Sequence, residues 1–235
     1  MINKYIMINL KSSLLLEDVD GYIKKINDFF SAKNIVFFPT SIYIPYFLNT
    51  KYEIGIQDVA ISDDKNITAS VTAKQAKSIN IKYAILGHSD IEQTDEDINK
   101  KIKSSIDNKI KVVLCIGETL EERQMLKTYD ILYKQIKNRL RGIEKEDIKN
   151  IFIAYEPKLS VGTNLLLKNE EISTTIELIK KIFIQNYDTL PNILYGGSVN
   201  SENINELNKI NIDGFLIGSA AYDAEELIKI CKNIK

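Results

Sequence analysis

The chain has 235 residues, 44% of them hydrophobic and 27% charged, and a net charge of −1 at pH 7. That length and apolar content suit one globular domain spanning residues 1–235 with a large core, and the even charge balance gives no basic footprint for nucleic acid. Cys115 and Cys231 lie far apart and only one histidine is present, which leaves no set of zinc ligands at the usual spacing.

No run is apolar for long enough to span a membrane. The first sixteen residues carry only a short apolar stretch and no signal-peptide cleavage pattern. With two thiols best read as reduced, a cytoplasmic protein is expected.

Short apolar runs alternate with longer amphipathic ones along the chain. Residues 5–9 read as a strand and 17–30 as a helix with Val19, Ile23, Ile26 and Phe30 on one side. A strand at 34–38 precedes a short helix near 42–48, and a strand at 53–57 precedes a helix at 73–79. A strand at 82–86 is followed by a helix over 94–108, opened by Thr94 as N-cap with Asp97 three residues on. A strand at 111–115 leads into a helical pattern from 120 to 140. Then come a strand at 151–154 and a helix at 169–185 with Ile172, Ile176, Ile179 and Phe183 in register. Strand 192–195, helix 201–208, strand 214–217 and helix 224–234 complete the series.

Eight strands each followed by a helix, with strands apolar on both faces as in Val112-Val113-Leu114-Cys115-Ile116, predict a closed parallel (β/α)8 TIM barrel. An open doubly wound sheet is the alternative.

In such a barrel the chemistry lies in the loops after the strands, and the uncommon polar residues fall there. Asn9 and Lys11 end the first strand, His88 and Ser89 follow the fourth, Glu118 the fifth and Glu156 the sixth. Gly196-Gly197-Ser198 follows the seventh strand and Gly218-Ser219 the eighth. Glu156 sits between a buried strand and a Pro/Gly loop, where partial desolvation suits a general base; a solvated loop carboxylate is the plain alternative. His88, close before a helix, is expected to be neutral and a hydrogen-bond donor, or else simply structural. Glu118 reads as support for a helix start. The glycine-rich turns after strands seven and eight let backbone N–H groups approach a phosphate at a helix N-terminus, unless they are only tight turns. Neither a Walker pattern nor a dinucleotide fingerprint is present.

Asn9-Leu10-Lys11, Leu86-Gly87-His88-Ser89, Cys115-Ile116-Gly117-Glu118-Thr119, Ala154-Tyr155-Glu156-Pro157, Gly162-Thr163 and Tyr195-Gly196-Gly197-Ser198-Val199 occur in that order over nearly the whole chain. Together they resemble the triosephosphate isomerase family. The resemblance implies interconversion of dihydroxyacetone phosphate and D-glyceraldehyde 3-phosphate, in glycolysis and gluconeogenesis, with neither metal nor organic cofactor. It implies Glu156 as proton shuttle, His88 as neutral electrophile, Lys11 as positive charge and Asn9 as hydrogen-bond donor. That base, neutral histidine and closing loop are a worked case for this enzyme. It further implies phosphate held by N–H groups at Gly162, Ser198, Gly218 and Ser219, and a lid over residues 157–167. A homodimer is implied, with residues 59–71 inserting into a second subunit and Thr68 near the tip.

Some positions depart from the family pattern. Asp90 stands where a glutamate is usual, Ile91 and Glu92 where two arginines are usual, Leu10 and Leu159 where tryptophans are usual, and Ser219 where a glycine is usual. The shorter Asp90 is expected to hold Lys11 more loosely. Two other readings remain open at this point. One is another sugar-phosphate or phosphoribosyl isomerase barrel. The other is a catalytically impaired barrel that binds a phosphorylated metabolite.

Overall fold

The computed structural model describes residues 4–29, 34–158 and 167–234. Its strands are β1 (Tyr5–Asn9), β2 (Ile35–Phe38), β3 (Glu53–Ile56), β4 (Tyr83–Leu86), β5 (Lys111–Ile116), β6 (Ile151–Tyr155), β7 (Asn192–Tyr195) and β8 (Gly214–Ile217). Each pairs in parallel with the next, and β8 pairs with β1, so the sheet closes as a TIM barrel. The fold class expected from the alternation of strand and helix patterns is therefore the one formed.

The helices lie between the strands in sequence. They are α1 (Leu16–Phe29), α2 (Ile44–Phe47), α3 (Ala73–Ser78), α4 (Asp95–Asp107), α5 (Leu120–Gln124), α6 (Thr128–Arg139), α7 (Lys145–Ile148), α8 (Asn169–Tyr187), α9 (Ile204–Leu207) and α10 (Ala224–Asn233). Thr94 caps α4 by accepting the Asp97 N–H, as its spacing predicts. Three expectations need correction. The pattern over 120–140 is not one helix: Leu126 takes φ 58° and separates α5 from α6. The single turn α7 was not anticipated. The helix expected over 201–208 is reduced to α9, preceded by a turn.

Period-two alternation sorts the strand residues into two cores. Outward-facing Ile6, Ile8, Ile153 and Phe215 pack under the helices. Inward-facing Met7, Phe38, Tyr83, Ile85, Val113, Phe152, Ala154, Leu194 and Leu216 fill the barrel. Each large side chain so buried contributes about 1.5–3 kcal/mol. The ring of Phe38 fits inside only because β3 offers Gly55, where a Cβ would stand 2.2 Å from it. At the end where the strands begin, Tyr5 meets Phe152 edge-on, with centroids 4.8 Å apart.

Two glycines provide opposite tests of this packing. A Cβ on Gly214 would lie 2.1 Å from the backbone oxygen of Tyr5 on the neighbouring strand, whereas one on Gly21 in α1 meets nothing within 4 Å. Gly214→Ala is expected to cost about 1–3 kcal/mol by overpacking. Gly21→Ala is expected to stabilise by about 0.5–1 kcal/mol through helix propensity. Urea unfolding of both variants measures the two signs.

Candidate active site

The alternation that fills the barrel also dictates what faces its open end. Two residues beyond inward-facing Met7, Ala154, Leu194 and Leu216 stand Asn9, Glu156, Gly196 and Gly218. They border a cavity of about 200 Å³, to which Lys11 and His88 also contribute. Ser198 and Ser219 line the same cavity. Every described residue expected at a site is thus brought to one place, except Glu118.

Glu156 is fixed through its main chain, whose N–H donates to the Ile116 carbonyl at 2.8 Å. Its side chain packs flat against Gly196, where a Cβ would come within 2.7 Å of the Glu156 Cγ. Oε1 lies 3.5 Å from His88 Nε2, and the Glu156 side chain is only 15% exposed. Oε2 has no hydrogen-bond partner among the described residues. Burial holds this carboxyl above the usual carboxylate range, although His88, a hydrogen bond with Cys115 and the charge of Lys11 pull the other way. Burial also pushes the Cys115 thiol well up, so it stays protonated and can donate to Glu156. Cys115 was not singled out from sequence; an apolar strand is where a structural thiol also sits.

His88 is buried, and its Nδ1 accepts the backbone N–H of Asp90 at 3.1 Å. That bond occupies the Nδ1 lone pair and places the ring proton of the neutral imidazole on Nε2, the nitrogen facing Glu156. The anticipated source of this arrangement, a helix starting close by, is not the operative one. The helix α4 begins only at Asp95, and a single loop N–H does the work.

Lys11 adopts φ 47°, a conformation that costs a non-glycine residue about 1–3 kcal/mol. Its backbone is held from three sides. The N–H donates to Asn9 Oδ1 at 3.1 Å, and the carbonyl accepts from Thr40 Oγ1 at 2.6 Å and Gln57 Nε2 at 2.9 Å. Thr40 and Gln57 follow β2 and β3, and nothing in their sequence setting distinguishes them. The ammonium of Lys11 reaches Asp90 Oδ2 at 2.8 Å. The shorter aspartate therefore does meet Lys11, contrary to the looser hold expected. Burial alone would lower the Lys11 pKa, but the Asp90 hydrogen bond and charge more than offset it and raise it. Asp90 is held below the ordinary range by the same pair, against a desolvation effect of opposite sign. The side chains are 35% and 53% exposed, so the pair adds under about 1 kcal/mol to stability; its effect is on where the ammonium points.

On the opposite wall, Ser198 takes φ 48° and its carbonyl accepts from Asn203 Nδ2 at 2.8 Å. The α-helix expected directly behind Gly196-Gly197-Ser198 begins only at Ile204. Behind Gly218, a 3-10 turn runs from Ser219 to Ala221. Gly218 faces the Lys11 side chain, with Lys11 Cε 3.8 Å from where its Cβ would be. Gly162, and the expected lid between Lys158 and Leu167, fall outside the described residues. Glu118 is fully buried away from the cavity, accepting from Arg123 Nη1 at 2.6 Å and Tyr155 Oη at 3.1 Å. Its carbonyl receives the Lys158 N–H at 2.8 Å, which anchors the chain leaving Glu156 and fits the supporting part expected of it.

Among the described residues there is no group of three or more His, Cys, Asp or Glu placed to hold a metal ion. No helix among them is long and apolar enough to cross a membrane.

The raised pKa of Glu156 makes a prediction about stability. Because its folded value exceeds its unfolded one, the ionised carboxylate weakens the fold above the folded pKa. That penalty is relieved as pH falls toward the unfolded value near 4.3. Glu156→Gln is therefore expected to melt higher than the unsubstituted protein at about pH 8, and the difference should shrink toward about pH 4. Melting curves across that range check the sign; a constant difference contradicts it.

Comparison with known proteins agrees with this geometry. A model of the family described as Triosephosphate isomerase matches residues 4–234. Among similar curated proteins, the triosephosphate isomerase of Dictyoglomus thermophilum is 34% identical over 249 aligned residues, covering 99% of this chain and 100% of that protein. That of Alkaliphilus oremlandii is 36% identical over 192 residues, covering 78% and 77%. That of Mycoplasmoides gallisepticum is 32% identical over 243 residues, covering 97% and 96%. The chain belongs to the triosephosphate isomerase family.

Proposed function

We propose that Glu156, His88, Lys11 and Asn9 carry out the family's reaction in this chain, the interconversion of dihydroxyacetone phosphate and D-glyceraldehyde 3-phosphate. The observation that supports this best is the approach of Glu156 Oε1 to His88 Nε2, 3.5 Å, beside a cavity sized for a three-carbon phosphate. A carboxylate with a raised pKa is a stronger base once ionised. It takes a proton from the carbon next to the carbonyl, giving an enediolate, and returns it to the other carbon. The Nε2–H of His88 donates to the carbonyl oxygen as negative charge develops there and relays protons between the two enediolate oxygens. Lys11 stabilises that charge, and Asn9 donates to the same oxygen. The phosphate is held by backbone N–H groups at Ser198, Gly218 and Ser219, joined by Gly162. The isomerisation is redox-neutral overall, so no redox cofactor is required.

The alternative of an impaired binding barrel was motivated by Asp90 and by the altered lid. Asp90 Oδ2 lies 2.8 Å from Lys11 Nζ, which speaks against the first ground, while the lid between Lys158 and Leu167 falls outside the described residues. A coupled assay for triose phosphate interconversion tests the proposal. Glu156→Gln is expected to lose about 10²–10⁴-fold in kcat/KM. Unaltered turnover in that variant overturns the assignment of the base. The rate of the unsubstituted enzyme is expected to fall on the acid side at a pH above the ordinary glutamate range, since the base must be ionised.

The working unit proposed is a cytoplasmic homodimer. Leu15, Leu16, Ile42, Ile61 and Ile91 are 61%, 58%, 70%, 46% and 41% exposed, and all follow the ends of β1–β4. Thr68 lies exposed within the loop proposed to insert into the second subunit. Exposed apolar side chains after each of these four strands favour self-association. Light scattering is expected to give twice the chain mass, and Ile42→Glu to give a monomer; a monomeric unsubstituted protein contradicts the proposal.

A further inference from the structure

We propose that Arg139 is a positioning residue for the His88–Glu156 pair. The proposal rests on the catalytic reading of that pair given above.

The helix α6 directs two side chains one turn apart, Gln135 and Arg139, at the end of β5. Gln135 holds Gly117 at both ends, its Oε1 accepting the Gly117 N–H and its Nε2 donating to the Gly117 carbonyl, each at 3.0 Å. Arg139 reaches one residue layer further in. Its Nη1 donates to the Cys115 carbonyl at 2.8 Å, and its Nε donates to Asp95 Oδ1 at 2.7 Å. The residue is only 9% exposed.

The need for such a donor follows from the sheet. Pairing between β4 and β5 ends at Leu86 and Leu114. The next residue of β4, Gly87, turns away with φ 73°. Arg139 Nη1 supplies the Cys115 carbonyl with a donor at the point where the ladder stops, and a buried carbonyl left without one is costly. The same Nη1 lies against Gly87, 3.0 Å from where its Cβ would be.

Both reacting groups depend on these two points. His88 is the residue after Gly87. Glu156 is bonded through its N–H to Ile116 and lies over Gly117, where a Cβ would meet its carbonyl oxygen. One guanidinium therefore braces the turn that carries His88 and the end of β5 on which Glu156 rests. An ion pair used only as core filler can be replaced by apolar packing with little loss. What an apolar side chain cannot replace is the fixed fork of two donor directions.

The test uses the full-length protein and the fact that His88 is the only histidine, so that its ring gives a single set of imidazole resonances. Arg139→Met is expected to lower kcat about tenfold or more with KM within about twofold, since small misplacements of reacting groups act on the chemical step. It is also expected to shift the His88 resonances. Arg139→Lys, which keeps the charge but not the fork, should fall between. Asp95→Asn, a milder change, should move both readouts the same way if Arg139→Met does not fold. Ile182→Val, a core truncation in α8, serves as the stability control and should leave kcat and the His88 spectrum unchanged. The proposal is overturned if the Arg139 and Asp95 variants lose melting temperature but keep both kcat per folded molecule and the His88 resonances. If the unsubstituted protein shows no isomerase turnover, the catalytic reading fails, and the His88 resonances still decide whether Arg139 positions the ring.

Discussion

Closing eight parallel strands into a barrel buries both faces of each strand, so the interior must be filled layer by layer along every strand. The filling here is graded. On β4 the inward series runs Tyr83, Ile85 and then Gly87; on β5 it runs Val113, Cys115 and then Gly117. On β7 and β8 leucine gives way to glycine, at Gly196 and Gly218. Large rings fill one end, where Tyr5 meets Phe152 edge to face and Tyr83 packs on Phe152 at a tilt. Diminishing side chains leave the other end open. The cavity is thus a consequence of the packing gradient, and at the top β1 and β6 carry Asn9 and Glu156 while Thr40 and Gln57 follow β2 and β3.

Placing a carboxylate at the edge of that interior exposes it to the same low-dielectric surroundings that stabilise the apolar layers. None of its neighbours neutralises it outright. Lys11, whose charge acts on it, is already paired with Asp90, and His88 offers a donor. Cys115 contributes an S–H that its own burial keeps protonated. The result is a carboxyl whose pKa is raised by burial and only partly drawn back by its neighbours, which makes it a stronger base once ionised. A direct buried ion pair with Lys11 would have lowered that pKa and weakened the base.

The barrel and the ring of site residues were legible because both follow from periodicity: apolar strands of four to six residues, and polar residues just past their ends. What escaped was whatever depends on a contact between distant segments. Thr40, Gln57, Gln135 and Arg139 have no local mark; an arginine on an amphipathic helix reads as a solvated face, and this one is buried. Leu126 shows the other kind of limit. The apolar period runs straight through it, and leucine is among the better helix formers, yet the chain adopts φ 58° there and leaves the side chain 91% exposed. Tertiary constraint on where α6 must start overrides both signals. For His88 the sequence pointed to a helix terminus, whereas the ring is met by a single loop N–H, and the two cannot be distinguished by sequence.

The contacts among the loops run around the barrel in strand order. Lys11, after β1, is gripped by Thr40 after β2 and Gln57 after β3, and its tip is held by Asp90 after β4. His88, also after β4, faces Glu156 after β6, which rests on the end of β5 and is walled by Gly196 after β7. Gly218, after β8, returns to the side chain of Lys11. Lys11 and Glu156 are therefore oriented largely from other βα units, whereas His88 and Ser198 are also held by Asp90 and Asn203 of their own units. The positive-φ backbone at Lys11 is restrained by Thr40 and Gln57 of the next units, and that at Ser198 by Asn203 of its own unit. Such a ring explains how loops, ordinarily the least rigid parts of a fold, can hold reacting groups to fixed positions. It also means that a change in any one unit is transmitted first to the residues of the next, and that barrel closure is itself a condition of the chemistry.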